Sequence, residues 1–84
     1  MQLVNEVKLA CDKTEETITK YIEEFNKRGI SFENKNKFIH ALNIVKTIRD
    51  TVNEENQEEK RNSLLDLQGY LDETFLSVKE EMKR

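Results

Sequence analysis

The stretch CDKTEETITKY, residues 11–21, decides the fold. Two architectures compete for it. Thr14, Glu15, Glu16 and Thr17, with Ile18 and Tyr21 behind them, suit the turn and recognition helix of a helix-turn-helix. They suit equally the middle of one unbroken helix. The apolar spacing on either side separates the two. Leu3, Val7, Cys11, Ile18, Ile22 and Phe25 follow one another at helical steps, and Thr14 fills the one long gap. Such a stripe stays in phase only on a continuous helix. A turn at Asp12–Lys13 would shift the phase and would favour glycine there. The spacing therefore predicts one helix over residues 2–28, widened by Val4, Ala10 and Tyr21.

The end of that helix is marked. Lys27 and Arg28 sit where cations suit the helix dipole. Gly29 follows as the left-handed C-cap residue, and Ile30 is placed for the apolar contact that closes such a cap. Residues 31–36, SFENKN, read as a connector with Phe32 tucked beneath it. Ser31, Asn34 and Asn36 are the candidate N-caps. A second helix over about 35–54 carries the stripe Phe38, Ala41, Leu42, Val45, Ile48 and Val52, with Ile39 and Ile44 on its shoulders. NEENQEEKRN, residues 53–62, has no apolar residue and reads as a loop or a solvated helical elbow. A third helix over about 60–82 carries Leu64, Leu67, Leu71, Phe75, Val78 and Met82, widened by Leu65, Tyr70 and Leu76. Gly69 in its middle either marks a close crossing or is tolerated.

The expected fold is all-α, a small three-helix antiparallel bundle running up-down-up, with residues 1–84 as a single domain. The composition agrees: no proline, two glycines and 37% charged residues. The net charge of −3 is unevenly spread. Residues 1–49 carry nine Lys/Arg against seven Asp/Glu, and residues 50–84 carry five against ten. Neither half makes the basic face of a typical nucleic-acid binder. One cysteine leaves no internal disulfide. The first residues lack the pattern of a signal peptide, and no run is long enough for a membrane span. A cytoplasmic location is expected.

Chemistry-bearing patterns are sparse. His40, the single histidine, lies off its helix stripe and should face solvent. Cys11 lies on a stripe and reads as core. Adjacent carboxylates such as Glu15/Glu16 or Glu23/Glu24 point about 100° apart on a helix, so they form no acid–base dyad. Glu16–Lys20, Glu23–Lys27 and Glu24–Arg28 instead have the spacing that supports a helix. There is no phosphate loop, nucleophile elbow or metal-spaced cluster. No cofactor is implied, and the chain reads as a non-enzyme.

TEETITKYIEEFNKRGISF, residues 14–32, resembles the recognition-helix stretch of MerR-like regulators through Thr14, Thr17, Ile18, Lys20, Tyr21 and Gly29. The resemblance implies that Thr17, Thr19 and Lys20 face a DNA major groove. The sequence departs from that pattern at Lys8 and Asp12, and no winged hairpin follows.

The favoured expectation is a protein partner. A bundle of this kind would act as an inhibitor or regulatory factor, of the antitoxin, immunity or phage anti-host type, by blocking a partner surface. The lysine-, asparagine- and isoleucine-rich usage correlates with a low-GC bacterium or its phage. The expected contact residues are Leu65, Tyr70 and Leu76 on helix three, with Glu54, Glu55, Glu58 and Glu59 at the elbow. DNA binding and homo-oligomeric assembly, including a homodimer, are the alternatives. No membrane partner is expected.

Overall fold

The computed structural model describes residues 3–83. Residue 2, the expected first residue of helix one, lies outside them. Three helices form: α1 (Leu3–Arg28), α2 (Phe32–Thr51) and α3 (Gln57–Met82). They pack pairwise as a three-helix bundle with no strand among the described residues. Residues 11–21 lie inside α1 with no turn at Asp12–Lys13. The threonine hydroxyls there turn back onto their own helix, Thr17 donating to the Lys13 carbonyl at 3.0 Å and Thr19 to that of Glu15 at 2.9 Å. The turn that the helix-turn-helix reading needs at this place does not form.

Gly29 ends α1 at φ 68°. The Ile30 N–H then donates to the Phe25 carbonyl at 3.1 Å, and both side chains are buried. That is the Schellman arrangement, with its apolar clasp. The connector is shorter than expected. Ser31 caps α2, its hydroxyl accepting from the Asn34 N–H at 3.4 Å. The helix therefore starts at Phe32, not near 35. Phe32 consequently stands on the first turn, 72% exposed, and does not tuck beneath a loop. Glu81 of α3 reaches this junction. Its carboxylate accepts from the Ser31 N–H at 2.6 Å and from the Asn34 side-chain amide at 2.9 Å. A carboxylate there suits the positive end of α2.

The second junction lies earlier than the sequence suggested, between residues 51 and 57 and not near 54–60. α2 ends at Thr51, and buried Val52 follows it. The Asn53 Oδ1 accepts from the Glu55 and Asn56 N–H groups, and the Asn56 Oδ1 accepts from the Asn53 N–H at 2.7 Å. This reciprocal pair turns the chain within five residues, so α3 begins at Gln57. Residues 53–62 are thus part turn and part first turns of α3.

The core runs along the bundle: Val7, Cys11, Ile18 and Phe25 of α1, Phe38, Ala41, Val45 and Ile48 of α2, Leu64, Leu67 and Val78 of α3. The Phe25 and Phe38 rings meet edge-to-face at 4.9 Å between centroids. The stripe on α3 differs from the expected one. Thr74, whose hydroxyl donates to the Tyr70 carbonyl, is buried, while Leu71 and Phe75 are only half-buried and Met82 is exposed. The apolar face of α3 is therefore wider than its buried face.

Candidate functional site

α1 and α3 run parallel, both packed on the antiparallel α2. Gln68 donates to the Thr14 hydroxyl at 3.4 Å, and an Arg28 guanidinium nitrogen lies 3.7 Å from the Met82 sulfur. Both contacts join residues 54 positions apart, so the two helices keep one register along their length. α1 packs most extensively on α2 and least on α3. A furrow remains between the parallel pair.

The sequence explains it. The edge of α1 turned toward α3 carries Ala10, Thr14 and Thr17, side chains too short to fill the space. Opposite them stand Leu64, Gln68, Leu71 and Phe75. The main cleft has a volume of about 390 Å³. Its floor is Ile18, Tyr21, Phe38, Leu71 and Phe75; Lys13, Thr14, Thr17, Gln68 and Asp72 form its polar margin. The Tyr21 ring sits 5.0 Å from the Phe75 ring and 5.9 Å from that of Phe38. Tyr21 is therefore both a core-edge ring and part of the open surface. A second cleft of about 230 Å³ continues toward the N-terminal ends, bounded by Leu3, Ala10, Leu64, Leu65, Glu6 and Arg61. Gln68 borders both clefts.

The expected contact residues fall in different places. Leu65 and Leu76 are 56% and 61% exposed, as expected. Eleven residues apart, they share one face of α3, and Leu65 also borders the smaller cleft. Tyr70 is exposed but stands about 140° around the helix from Leu65, so the three do not form one patch. Glu54 and Glu55 lie in the turn, Glu58 and Glu59 in the first turn of α3; all four are exposed. The latter two suit the helix dipole. Thr17, Thr19 and Lys20 are exposed on α1, with Lys20 paired to Glu16 at 3.3 Å. Their hydroxyls are turned to their own helix. His40 faces solvent.

On the opposite side of α1, an ionic clasp joins it to α2. Arg49 donates to Glu15 at 2.6 Å and to Asp12 at 3.0 Å, with Lys46 4.0 Å from Glu15. Those two hydrogen bonds, Glu15 first, hold Arg49 protonated beyond its already high ordinary value. Beneath the clasp, burial pushes the Cys11 thiol above its ordinary value; nearby Arg49 offsets part of the rise, and Asp12 and Glu15 add to it. A buried thiol with a raised pKa is a poor nucleophile. Among the described residues, no group of three His, Cys, Asp or Glu side chains is arranged around a metal position. No helix there is long and apolar enough to cross a membrane.

The furrow was missed in the sequence. Its signal was present: short residues at 10, 14 and 17 on one edge of α1, and a stripe on α3 wider than one neighbour needs. No protein-family model, curated protein or solved structure matches this chain.

Proposed function

We propose that this chain is a non-enzymatic protein-binding module of the inhibitor or regulatory kind, which acts by occupying a surface of another protein. The observation that carries the reading is the α1–α3 furrow. It exposes the edges of Tyr21, Leu71 and Phe75 over an apolar floor and rims them with charge. An apolar centre with a polar margin is the anatomy of a protein-binding patch, and aromatic side chains are its usual anchors. Leu65 borders the same apolar strip through the smaller cleft, and exposed Leu76 stands eleven residues on along the same face of α3. The action is steric: whatever seats on this strip is withheld from its other partners.

Capture with the tagged full chain from a lysate, with and without nuclease, tests the reading. We expect one stoichiometric protein that survives nuclease and is lost when Leu65 and Leu76 are both changed to Glu or when Thr17→Leu closes the furrow. Recovery of nucleic acid alone, with nothing left after nuclease, would overturn it in favour of the recognition-helix reading of Thr17, Thr19 and Lys20. A discrete homo-oligomer with no other protein captured would replace it with the structural alternative.

A further inference from the structure

We propose that the furrowed face seats a second copy of this chain. The dimer is parallel, and its two-fold axis runs along the furrow, so that α1 of each copy lies on α3 of the other. The proposal goes beyond the protein-binding reading and stands without it. The dimer covers the strip on which another protein would seat, so the two compete.

The charges on the two lips carry the argument. Glu6 and Lys13 stand on the α1 lip, Arg61 and Asp72 on the α3 lip. All four are exposed, and none forms an ion pair among the described residues. Along α1 the acid precedes the base, and along α3 the base precedes the acid. A surface that is neutral as a whole but opposite in sign from lip to lip is complementary to itself. The register decides what meets what. The Thr14–Gln68 and Arg28–Met82 contacts set each α3 residue level with the α1 residue 54 positions earlier. A two-fold axis along the furrow exchanges the lips and keeps every level. Arg61 of the second copy then arrives level with position 7, beside Glu6. Asp72 arrives level with position 18, between Lys13 and Lys20, and Lys79 level with position 25, next to the Glu24–Arg28 pair. Symmetry makes each contact twice.

The apolar residues agree with this seating. Leu9 and Leu65 are 58% and 56% exposed. Leu9 lies three residues after Glu6 and four before Lys13, hence on the same lip. Leu65 of the second copy arrives level with position 11, against Leu9 and Ala10. The two furrows face one another and enclose the open edges of Tyr21, Leu71 and Phe75 from both copies. Turned end for end at full overlap, the second copy would instead set Arg61 near Lys79, and Glu6 near Glu24. Aligned helix dipoles oppose the parallel seating weakly, because they act only through the end turns and salt screens them. Area is sufficient. The bundle is 46 Å long and 18 Å wide, so full overlap covers about 800 Å² on each copy, the size of a standard stable interface.

The test is sedimentation equilibrium of the purified full chain over a wide concentration range, with charge reversals on the two lips. We expect a reversible monomer–dimer equilibrium. Glu6→Arg alone and Arg61→Glu alone should each weaken the dimer about tenfold, since each sets like charges together twice. Both reversals in one chain should restore it. Circular dichroism checks that all three variants stay folded. Leu9→Cys and Leu65→Cys chains, mixed and oxidised, should cross-link to each other; Cys11 is buried and does not compete. A monomer at every concentration would overturn the proposal, as would a dimer indifferent to the single reversals or not restored by the double. Cross-linking of Leu65→Cys only to itself would overturn the parallel seating. None of these results depends on lysate capture. A monomer that still captures a protein leaves the protein-binding reading standing, and a dimer that captures nothing removes that reading and not this one.

Discussion

Single residues in this chain have separable roles. Gly29 and Gly69 show this most plainly. Gly29 holds φ 68°, a conformation that side chains rarely adopt. Gly29→Ala should destabilise the protein by about 1 kcal/mol, measured by denaturant titration. Gly69 lies mid-helix with open space around the position a Cβ would take. It marks no close crossing. Gly69→Ala should therefore stabilise by about 0.8–1 kcal/mol through helix propensity alone. Unequal signs at the two glycines would be expected from the same assay. The sequence showed the first role directly, because cations and an apolar residue flank Gly29. It left the second open, because a crossing partner is not a local property. Cys11 adds a pH dependence. Burial raises its pKa, so folding is unaffected below the ordinary value near 9.0. Above it the unfolded chain releases a proton that the folded chain keeps. Stability should fall as pH rises through that range, by at most about 1.4 kcal/mol per pH unit. Cys11→Ala should flatten that slope in alkaline denaturant titrations.

At the scale of elements, helix phase was legible and helix ends were partly so. α1 kept its stripe across residues 11–21, and the structure carries it unbroken. The two junctions were misplaced, the first drawn too long and the second about three residues too late. Their closure depends on side-chain bonds: Ser31 to Asn34, Glu81 to both, and Asn53 with Asn56 in reciprocal contact. The Glu81 contact spans 50 residues and has no local signal. It also makes a prediction. Glu81→Ala should loosen the start of α2, seen as faster amide exchange at Ser31 and Asn34 with little change at Val45. Equal exchange at all three would remove Glu81 from the cap. Phe38 is the element-level anchor, buried between the rings of Phe25 and Tyr21. Phe38→Ala should cost about 3–5 kcal/mol, a large share of a small domain's stability.

The whole molecule is an elongated bundle, 46 Å long and 18 by 17 Å across. Its asymmetry is its informative feature. α2 packs on both neighbours, whereas α1 and α3 meet along a line of short residues. The sequence showed the bundle, through three stripes and two breaks. It also showed that α3 had apolar residues to spare, and Leu65 and Leu76 are exposed accordingly. It did not show where the surplus gathers. That depends on the parallel register of α1 and α3, which sets Ala10, Thr14 and Thr17 against Gln68, Leu71 and Phe75. Tyr70 belongs to a different face because it stands about 140° around α3 from Leu65. The most direct measurement of the central claim is the affinity of the captured partner for wild type and for Thr17→Leu, both shown folded by circular dichroism. A loss of tenfold or more in Thr17→Leu is the result predicted for a furrow that receives the partner. Equal affinity in the two proteins would contradict it and move the binding surface elsewhere on the bundle.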